Sequence, residues 1–464
     1  MRKRNSKIQR ESSGASPSLQ SINPDAAGID VGATMLWVAA PEDRDENPIQ
    51  CFETFTGDLH RLAEWLKQCR IRIVAMESTG VYWIPVYQIL ESHGLEVKLV
   101  NAHHVKNVPG RKTDVKDCRW LQQLHSYGLL SGSFRPKNEI CELRGYLRHR
   151  ETLVKTASAE IQHMQKALVQ MNLRLANVIS DITGTTGMAI IRAILSGERD
   201  PKALARLRHR RIEKSEEEIA KSLEGDFREE HLFCLRQALE LYEFCQRQIE
   251  ACDQKIEECL SRFASKEDGE AKPLPPRKDG KKRSRRGKGA GAKLREELYR
   301  ISGVDLTQVD GIQELSAQVI ISEVGLDMSR FPTEKHFASY LGLCPNHRIS
   351  GGKILKRSTR KVFNRAAQTL RMAAMIVERT PSALGTYCRR LKSRLGPAKA
   401  ITATARKLAC LIYRMLRFGK EYVDQGQEDY DKQYQQKVLK NIKKRAAQLG
   451  YQLTPKQTLT EIVS

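Results

Sequence analysis

Residues 26–38 read AAGIDVGATMLWV, an apolar, strand-like run with one acid, Asp30, embedded in it and Gly32 close behind. An acid inside an apolar strand is costly to bury unless it is paired or bound to a cation. A second such run, Ile71 to Met76 (IRIVAM), leads straight into Glu77 and then into the turn signal Ser78, Thr79, Gly80. The apolar run Glu96 to Val100 supplies another strand, and the segments between fit short helices. Residues 23–140 are therefore expected to form an α/β layer.

Downstream, residues 110–117 read GRKTDVKD. Thr113 fits a helix N-cap, because its hydroxyl can accept from the free N–H groups of a first turn, and Val115, Trp120, Leu121 and Leu124 continue with helical spacing. Asp114 and Asp117, three residues apart, would share one helix face. Alone, two acids in a first turn are explained by the helix dipole. Taken with Asp30 and Glu77, they make four acids from two strands and one helix, a candidate metal cage. Oxygen ligands without neighbouring Cys or His suit Mg2+ or Mn2+ rather than zinc. Two such ions, about 4 Å apart, would serve phosphodiester chemistry. The order of elements and the acids Asp30, Glu77, Asp114 and Asp117 resemble the RuvC-like branch of the RNase H fold.

Composition agrees with a polyanionic partner. The 464 residues carry 79 Lys plus Arg against 55 Asp plus Glu, a formal charge of +24, so nucleic acid is the expected ligand. No apolar run approaches the roughly 18 residues needed to span a membrane, and the basic N-terminus lacks the apolar stretch of a secretory signal. The 11 Cys contain no CxxC pair, which argues against zinc ribbons and a disulfide framework and fits a reducing cytosol. Cys245, Cys252 and Cys259 recur every seven residues, but so do Tyr242, Ile249, Ile256 and Phe263 beside them, the pattern of a packed helical seam.

In chain order, residues 1–22 are expected to be a disordered basic tail. Trp83, after the Gly80 turn, reads as core or as a base-stacking residue. Residues 141–265 carry long-helix patterns. Leu147, Val154, Ile161 and Leu168 fall at one heptad position, and Ala157, Met164 and Met171 at the next. With the Tyr242–Phe263 seam they predict an antiparallel coiled coil, within one chain or between chains, capped by the helical segment Ile179 to Leu207. Residues 266–293 form a Pro, Gly and Lys/Arg linker. Its basic run, Lys281, Lys282, Arg283, Arg285 and Arg286, reads as a nucleic-acid contact or as solvated charge. Residues 294–425 are expected to be an all-α domain, and 426–464 a helical, basic tail. That domain opens on VDGIQELSAQVIISEVG from Val309, which is like a helix-hairpin-helix with Gln313 where a second glycine is usual.

Within it, residues 331–353 read FPTEKHFASYLGLCPNHRISGGK. Ser350 stands ahead of two glycines, where backbone can approach a ligand closely, and Lys353, Lys356, Arg357 and Arg360 follow. The motifs GIDVG, MESTG, GRKTDVKD, ITGTTG, YLGLCP and SGGK occur in an order that resembles the DEDD transposases of bacterial insertion sequences. These are RuvC-like recombinases with a C-terminal serine, related to the Piv invertases and including bridge-RNA-guided enzymes.

The resemblance covers roughly residues 24 to 420. It implies that Asp30, Glu77, Asp114 and Asp117 bind two Mg2+ or Mn2+ ions and that Ser350 attacks DNA phosphate, giving a covalent intermediate and strand exchange between donor and target DNA. It further implies a structured guide RNA, a homo-oligomer (dimer or tetramer) that assembles the site between subunits, and a cytoplasmic, nucleoid-associated protein. Arg111 and Lys112, beside the acid pair, join the expected nucleic-acid contacts. Two rival readings stay open: a RuvC-like two-metal junction resolvase with SGG as a plain turn, and a catalytically silent nucleic-acid scaffold.

Overall fold

The computed structural model describes residues 21–78, 80–100, 114–266, 273–276, 290–356, 358–360, 362–419 and 427–454, in two compact units, Met1–Arg135 and Pro136–Ser464. The expected basic tail lies almost wholly outside the described residues, as does most of the basic linker. Among the described residues no helix is long and apolar enough to cross a membrane.

The first unit is built on a five-stranded sheet in the order β3-β2-β1-β4-β5, with β1 Ala26–Val31, β2 Met35–Ala39, β3 Ile49–Glu53, β4 Ile73–Glu77 and β5 Glu96–Val100. β1, β2 and β3 form an antiparallel meander, whereas β1, β4 and β5 are parallel. The run Ala26 to Val38, read above as one strand, is two strands of a hairpin. The chain reverses at Gly32, whose N–H donates to Met35 O at 3.0 Å and whose missing side chain leaves room for that carbonyl. This mixed sheet is consistent with the RNase H-like expectation.

Strand alternation sends Ile29, Val31, Leu36, Val38 and Met76 to one sheet face. There they pack on α1 (Thr56–Gln68) and α2 (Trp83–Ser92) through Leu59, Leu62, Leu66, Val86 and Leu90. Trp83 packs against this core. The other face holds Ala75 and Val100 against Leu121 of α3 (Asp114–Ser126). α3 also buries His125 completely, with neither ring nitrogen hydrogen-bonded. Burial, reinforced by the positive charge of Lys98, pushes the His125 pKa down to about 4 from its ordinary 6.5.

Protonation therefore favours the unfolded chain. His125 contributes its full stabilisation above pH 6.5 and loses it as pH falls toward 4, an effect of roughly 3 kcal/mol. His125→Leu is expected to flatten the stability curve of residues 1–135 across that window, because an apolar side chain there leaves no buried nitrogen to protonate. Denaturant unfolding at several pH values checks this; an unchanged pH slope would exclude His125 as its source.

The second unit starts with two 33-residue helices, α4 (Asn138–Gln170) and α8 (Glu229–Ser261). They run antiparallel within the chain: Arg262 pairs with Glu142 at 2.5 Å, Arg150 with Asp253 at 2.5 Å, and Ala157 packs on Cys245 and Ile249. Ala157, Met164 and Met171 are buried, whereas Val154 of the other heptad position is 38% exposed. Leu168 of that first position is buried as well, so both heptad positions contribute to the packing and Val154 is the one that stands out of it. Cys245 and Cys259 lie in that packing. Between the long helices, α5 (Thr185–Leu195), α6 (Pro201–Arg206) and α7 (Glu216–Ser222) enclose a core with Met164, Leu168, Leu232 and Leu235. Gly187 of the ITGTTG motif lies against the Ile182 backbone, so the motif here serves packing at the start of α5.

The remainder comprises α9 (Ala290–Ser302), α10 (Glu314–Val324), α11 (Glu334–Tyr340), α12 (Arg365–Val377), α13 (Ala383–Leu395), α14 (Pro397–Phe418) and α15 (Gln427–Gln448). It is not wholly helical, because β6 (Arg348–Ser350) and β7 (Lys353–Lys356) form an antiparallel hairpin. Gly311, in the element likened to a helix-hairpin-helix, faces α12, where a Cβ would lie 2.6 Å from Ala373 O. Its freedom (φ +80°) is used for close helix packing.

Candidate functional site

The parallel pairing of β1 and β4 sets Ile29 beside Met76. The next residue of each strand is an acid, so Asp30 and Glu77 stand at neighbouring positions at the carboxyl ends of adjacent strands. Alternation turns both toward the α3 face, opposite Ile29 and Met76. α3 runs back along β1: Gln122 Nε2 donates to Ala26 O at 3.4 Å, and Gly28 abuts Cys118 and Gln122. Asp30, the next residue of β1 on that face, therefore meets the first turn of α3, which bears Asp114 and Asp117. The Cys118 thiol registers this charge. Burial pushes its pKa up to about 12, and the negative charges of Asp30 and Asp117 add to the effect.

Asp30, Glu77 and Asp117 are each half-buried. The side chain of Asp114 and residues 101–113, with Thr113, Arg111 and Lys112, lie outside the described ones. Carboxylate oxygens from two strand ends and a helix turn are a donor set that suits a hard divalent cation. Among the described residues, no three of His, Cys, Asp and Glu are drawn close enough to hold an ion. The residue types suit the expected metal, and Asp114 is the member of the four whose side chain lies outside the described ones.

Gly28 makes this placement possible. A Cβ there would lie 2.3 Å from Gln122 N and 2.5 Å from Cys118 O, both backbone atoms. Sequence reading passed over this residue, although a glycine in an apolar strand two positions before an acid is the signal of a close backbone approach. Gly28→Ala is expected to push α3 off the sheet and to destabilise the unit by about 3 kcal/mol. Chemical denaturation measures it, and a loss below about 0.5 kcal/mol, the range of a neutral surface change, would mean that α3 does not rest on β1.

The second candidate lies on the hairpin. Ser350 pairs with Lys353 across Gly351 and Gly352, whose φ values are +53° and +76°. Two successive positive φ values are what a tight two-residue hairpin turn requires, which explains the two glycines. The hairpin is closed at its root by Asn346 N–H donating to Ser358 O at 2.6 Å and by the bridge between Pro345 and Thr359. Its flanks are not packed, with Ile349 63% and Leu355 70% exposed, and Phe363 just beyond is 92% exposed.

Ser350 is thus presented at the tip of a projecting element, exposed, and among the described residues no side chain hydrogen-bonds its hydroxyl. Lys353, its partner across the turn, and Arg360, at the root of the hairpin, are exposed without an ion pair among the described residues. The side chain of Lys356, the whole of Arg357, and Lys281, Lys282, Arg283, Arg285 and Arg286 lie outside the described residues.

Behind the hairpin, Arg148 of α4 grips Glu323 of α10 through both carboxylate oxygens (3.0 and 2.9 Å), and Arg144 donates to the Ser322 and Glu323 carbonyls at 2.9 and 3.0 Å. Arg365, at the start of α12, reaches Glu151 of α4 at 3.3 Å. These contacts tie the base of the helix pair to the elements that flank the hairpin. Charge-assisted, forked bonds of this kind fix orientation as well as position. The sequence held no local signal of them, since the partners are separated by 170 residues and more.

With both candidates placed, comparison with known proteins becomes informative. Residues 27–173 match the family model of the IS110-type DEDD transposases, described as "Transposase". Residues 303–389 match that of the transposase IS116/IS110/IS902 family. Two separate segments of the chain are thus similar to IS110-family transposase domains. The first transposase match contains Asp30, Glu77, Asp114 and Asp117, and the second contains Ser350 and its hairpin. The chain is also similar to the insertion element IS110 uncharacterized 43.6 kDa protein of Streptomyces coelicolor, at 31% identity over 128 residues. That match takes in 27% of this chain and 31% of the relative's own length.

Proposed function

We propose that the protein is a DNA transposase of a bacterial insertion sequence that exchanges strands through a covalent Ser350–DNA intermediate. What supports this reading is the presence in one chain of two segments similar to transposase domains, one with Asp30 and Glu77 at neighbouring strand ends and Asp117 on the helix that packs on that sheet, the other with an exposed serine on a hairpin. Divalent cations, one or two Mg2+ or Mn2+ held by Asp30, Glu77, Asp114 and Asp117, would supply charge stabilisation to the transferring phosphate.

In the proposed step Ser350 Oγ forms a bond to the scissile phosphorus as it gives up its proton. The bond from phosphorus to one sugar oxygen breaks, and that oxygen is released as a hydroxyl. A hydroxyl from a second strand reverses the sequence, regenerates the serine and leaves the number of phosphodiesters unchanged. A serine hydroxyl is a weak nucleophile until a neighbour takes its proton. On this reading the carboxylate-bearing domain provides that neighbour when DNA is bound. Lys353 and Arg360, with Arg357 and Lys356, would hold the phosphates on either side.

Choice of donor and target DNA is assigned to base pairing with a structured RNA, and two duplexes acted on together call for a dimer or tetramer. The basic charge of the chain supports contact with both nucleic acids. Trapping on a nicked suicide DNA tests the reading. A protein–DNA adduct mapped to Ser350 by mass spectrometry is expected. Cleaved DNA with no adduct would instead favour a two-metal resolvase, for which the Ser350–Lys353 turn is only a turn.

A further inference from the structure

The strand exchange proposed above leaves one built cavity of the second unit without a role. On α14, Arg406, Lys407, Cys410 and Arg414 face Tyr387 of α13 and Glu334 of α11 around a cavity of about 210 Å3. All the α14 residues of this cavity lie beyond residue 389, where the second family match ends. Arg414 is committed, because its guanidinium forks onto both oxygens of Glu334 at 2.5 and 3.0 Å and holds that carboxyl below its ordinary range.

Arg406 is not committed in this way. Its Nε is buried and meets no acceptor. Lys407 is exposed, its ammonium 5.9 Å from the centre of the Tyr387 ring, and it has no carboxylate partner among the described residues. The cavity therefore holds an excess of two positive charges, and one of its guanidinium donors lacks an acceptor. An anion seated in the cavity would offset that excess of positive charge.

We infer that this cavity is a phosphate site, and that it holds a single backbone phosphate of a bound nucleic-acid strand. The inference rests on the reading of the protein as a nucleic-acid enzyme. Size favours one phosphate over a larger ligand, since sites that enclose drug-sized molecules start at about 300 Å3. Chemistry favours phosphate too: a guanidinium and an ammonium converge on one space beside an aromatic ring, in a chain of net charge +24. Placement gives the site a use. Its wall α11 runs directly into the Leu341–Asn346 segment that roots the Ser350 hairpin. A phosphate held there would set the distance between the bound strand and the hairpin, which makes Arg406 and Lys407 positioning residues.

The full-length chain carrying Lys407→Gln, Arg406→Gln or both tests this, with thermal unfolding as the control for folding. Affinity for a DNA duplex and for a structured RNA is measured across salt concentrations. Each lost phosphate contact lowers the slope of log affinity against log salt by about one. The double variant, which loses the one phosphate, is thus expected to lose about one from the slope and about tenfold in affinity at physiological salt. Lys407→Gln alone, at an exposed position, is expected to lose a measurable part of both, so the test survives if Arg406→Gln fails to fold.

A single neutral methylphosphonate, moved along the DNA or the RNA, should weaken wild-type binding at one position and have no effect there in the double variant. The strand that responds names the source of the phosphate. Unchanged slopes in folded variants would overturn the site while leaving the transposase reading standing. So would competition by inorganic phosphate with no responsive strand position. A wild-type chain that binds neither nucleic acid would instead overturn the transposase reading itself.

Discussion

Asp30→Asn is expected to abolish strand transfer, by a factor on the order of 10^3, in a chain that folds as the wild type does. The substitution keeps the side chain's size and polarity at a half-buried position, so it opens no cavity. What it removes is one anionic oxygen from a sheet end shared with Glu77 and Asp117. An ion that binds only the folded chain stabilises it by about 2.7 kcal/mol at a hundredfold excess over its Kd. The wild type should therefore melt at a higher temperature in Mg2+ than in EDTA, and Asp30→Asn should not.

Asp25→Asn is the matched control. Asp25 lies just before the opposite end of β1 and is held by Arg44 at 2.7 Å, away from the candidate ligands. Its variant should keep the Mg2+ shift. Wild-type strand transfer that persists in EDTA, or a Mg2+ shift retained by Asp30→Asn, would remove the metal from the mechanism.

The acids were legible because each breaks a local rule. Asp30 interrupts an apolar strand and Glu77 ends one, and burial cost alone marks such positions. β5 was legible as a compact apolar run. β3, Ile49–Glu53, was not, because it is a short meander strand, half-buried from Ile49 to Phe52 and exposed at Glu53, that carries no continuous apolar signal. The β1–β2 turn was hidden for a different reason. Gly32, Ala33 and Thr34 offer a single turn-forming residue between two apolar halves, so the hairpin reads as one strand until Met35 O is seen to accept from Gly32.

The hairpin of the second unit shows the opposite failure. Ser350, Gly351 and Gly352 were read as a place of close approach to a ligand, yet the two positive φ values are already accounted for by the turn. The glycines therefore carry no weight in the functional reading, which falls on Ser350 alone. The phosphate cavity was illegible altogether. Its side chains come from positions 334, 387 and 406–414, and only the packing of α11, α13 and α14 brings them together. In hindsight Arg406, Cys410 and Arg414 are spaced by one helical turn each, but that spacing on a basic helix describes a solvated face equally well.

Ser350→Ala separates the catalytic from the structural account of the same hairpin. The glycines that make the turn are untouched, Ser350 is exposed, and its hydroxyl has no side-chain hydrogen bond among the described residues, so stability should change by less than about 0.5 kcal/mol. Binding of DNA and RNA should likewise be unchanged, because no cation is lost. Strand cleavage should fall by at least about 10^3-fold and the covalent adduct should vanish, since a nucleophile that becomes part of the intermediate has no substitute. Ser350→Cys, with a larger and more readily ionised nucleophile at the same place, should retain only a trace. Ser358 and Thr359, at the root of the hairpin, are the nearest rival hydroxyls in sequence. Their backbones are engaged in closing it, Ser358 through its carbonyl to Asn346 and Thr359 through the bridge to Pro345, so Ser358→Ala and Thr359→Val should leave the adduct on Ser350. An adduct on either of them, or cleavage by Ser350→Ala at the wild-type rate, would return the SGG segment to the role of a turn and transfer the chemistry to the carboxylates alone.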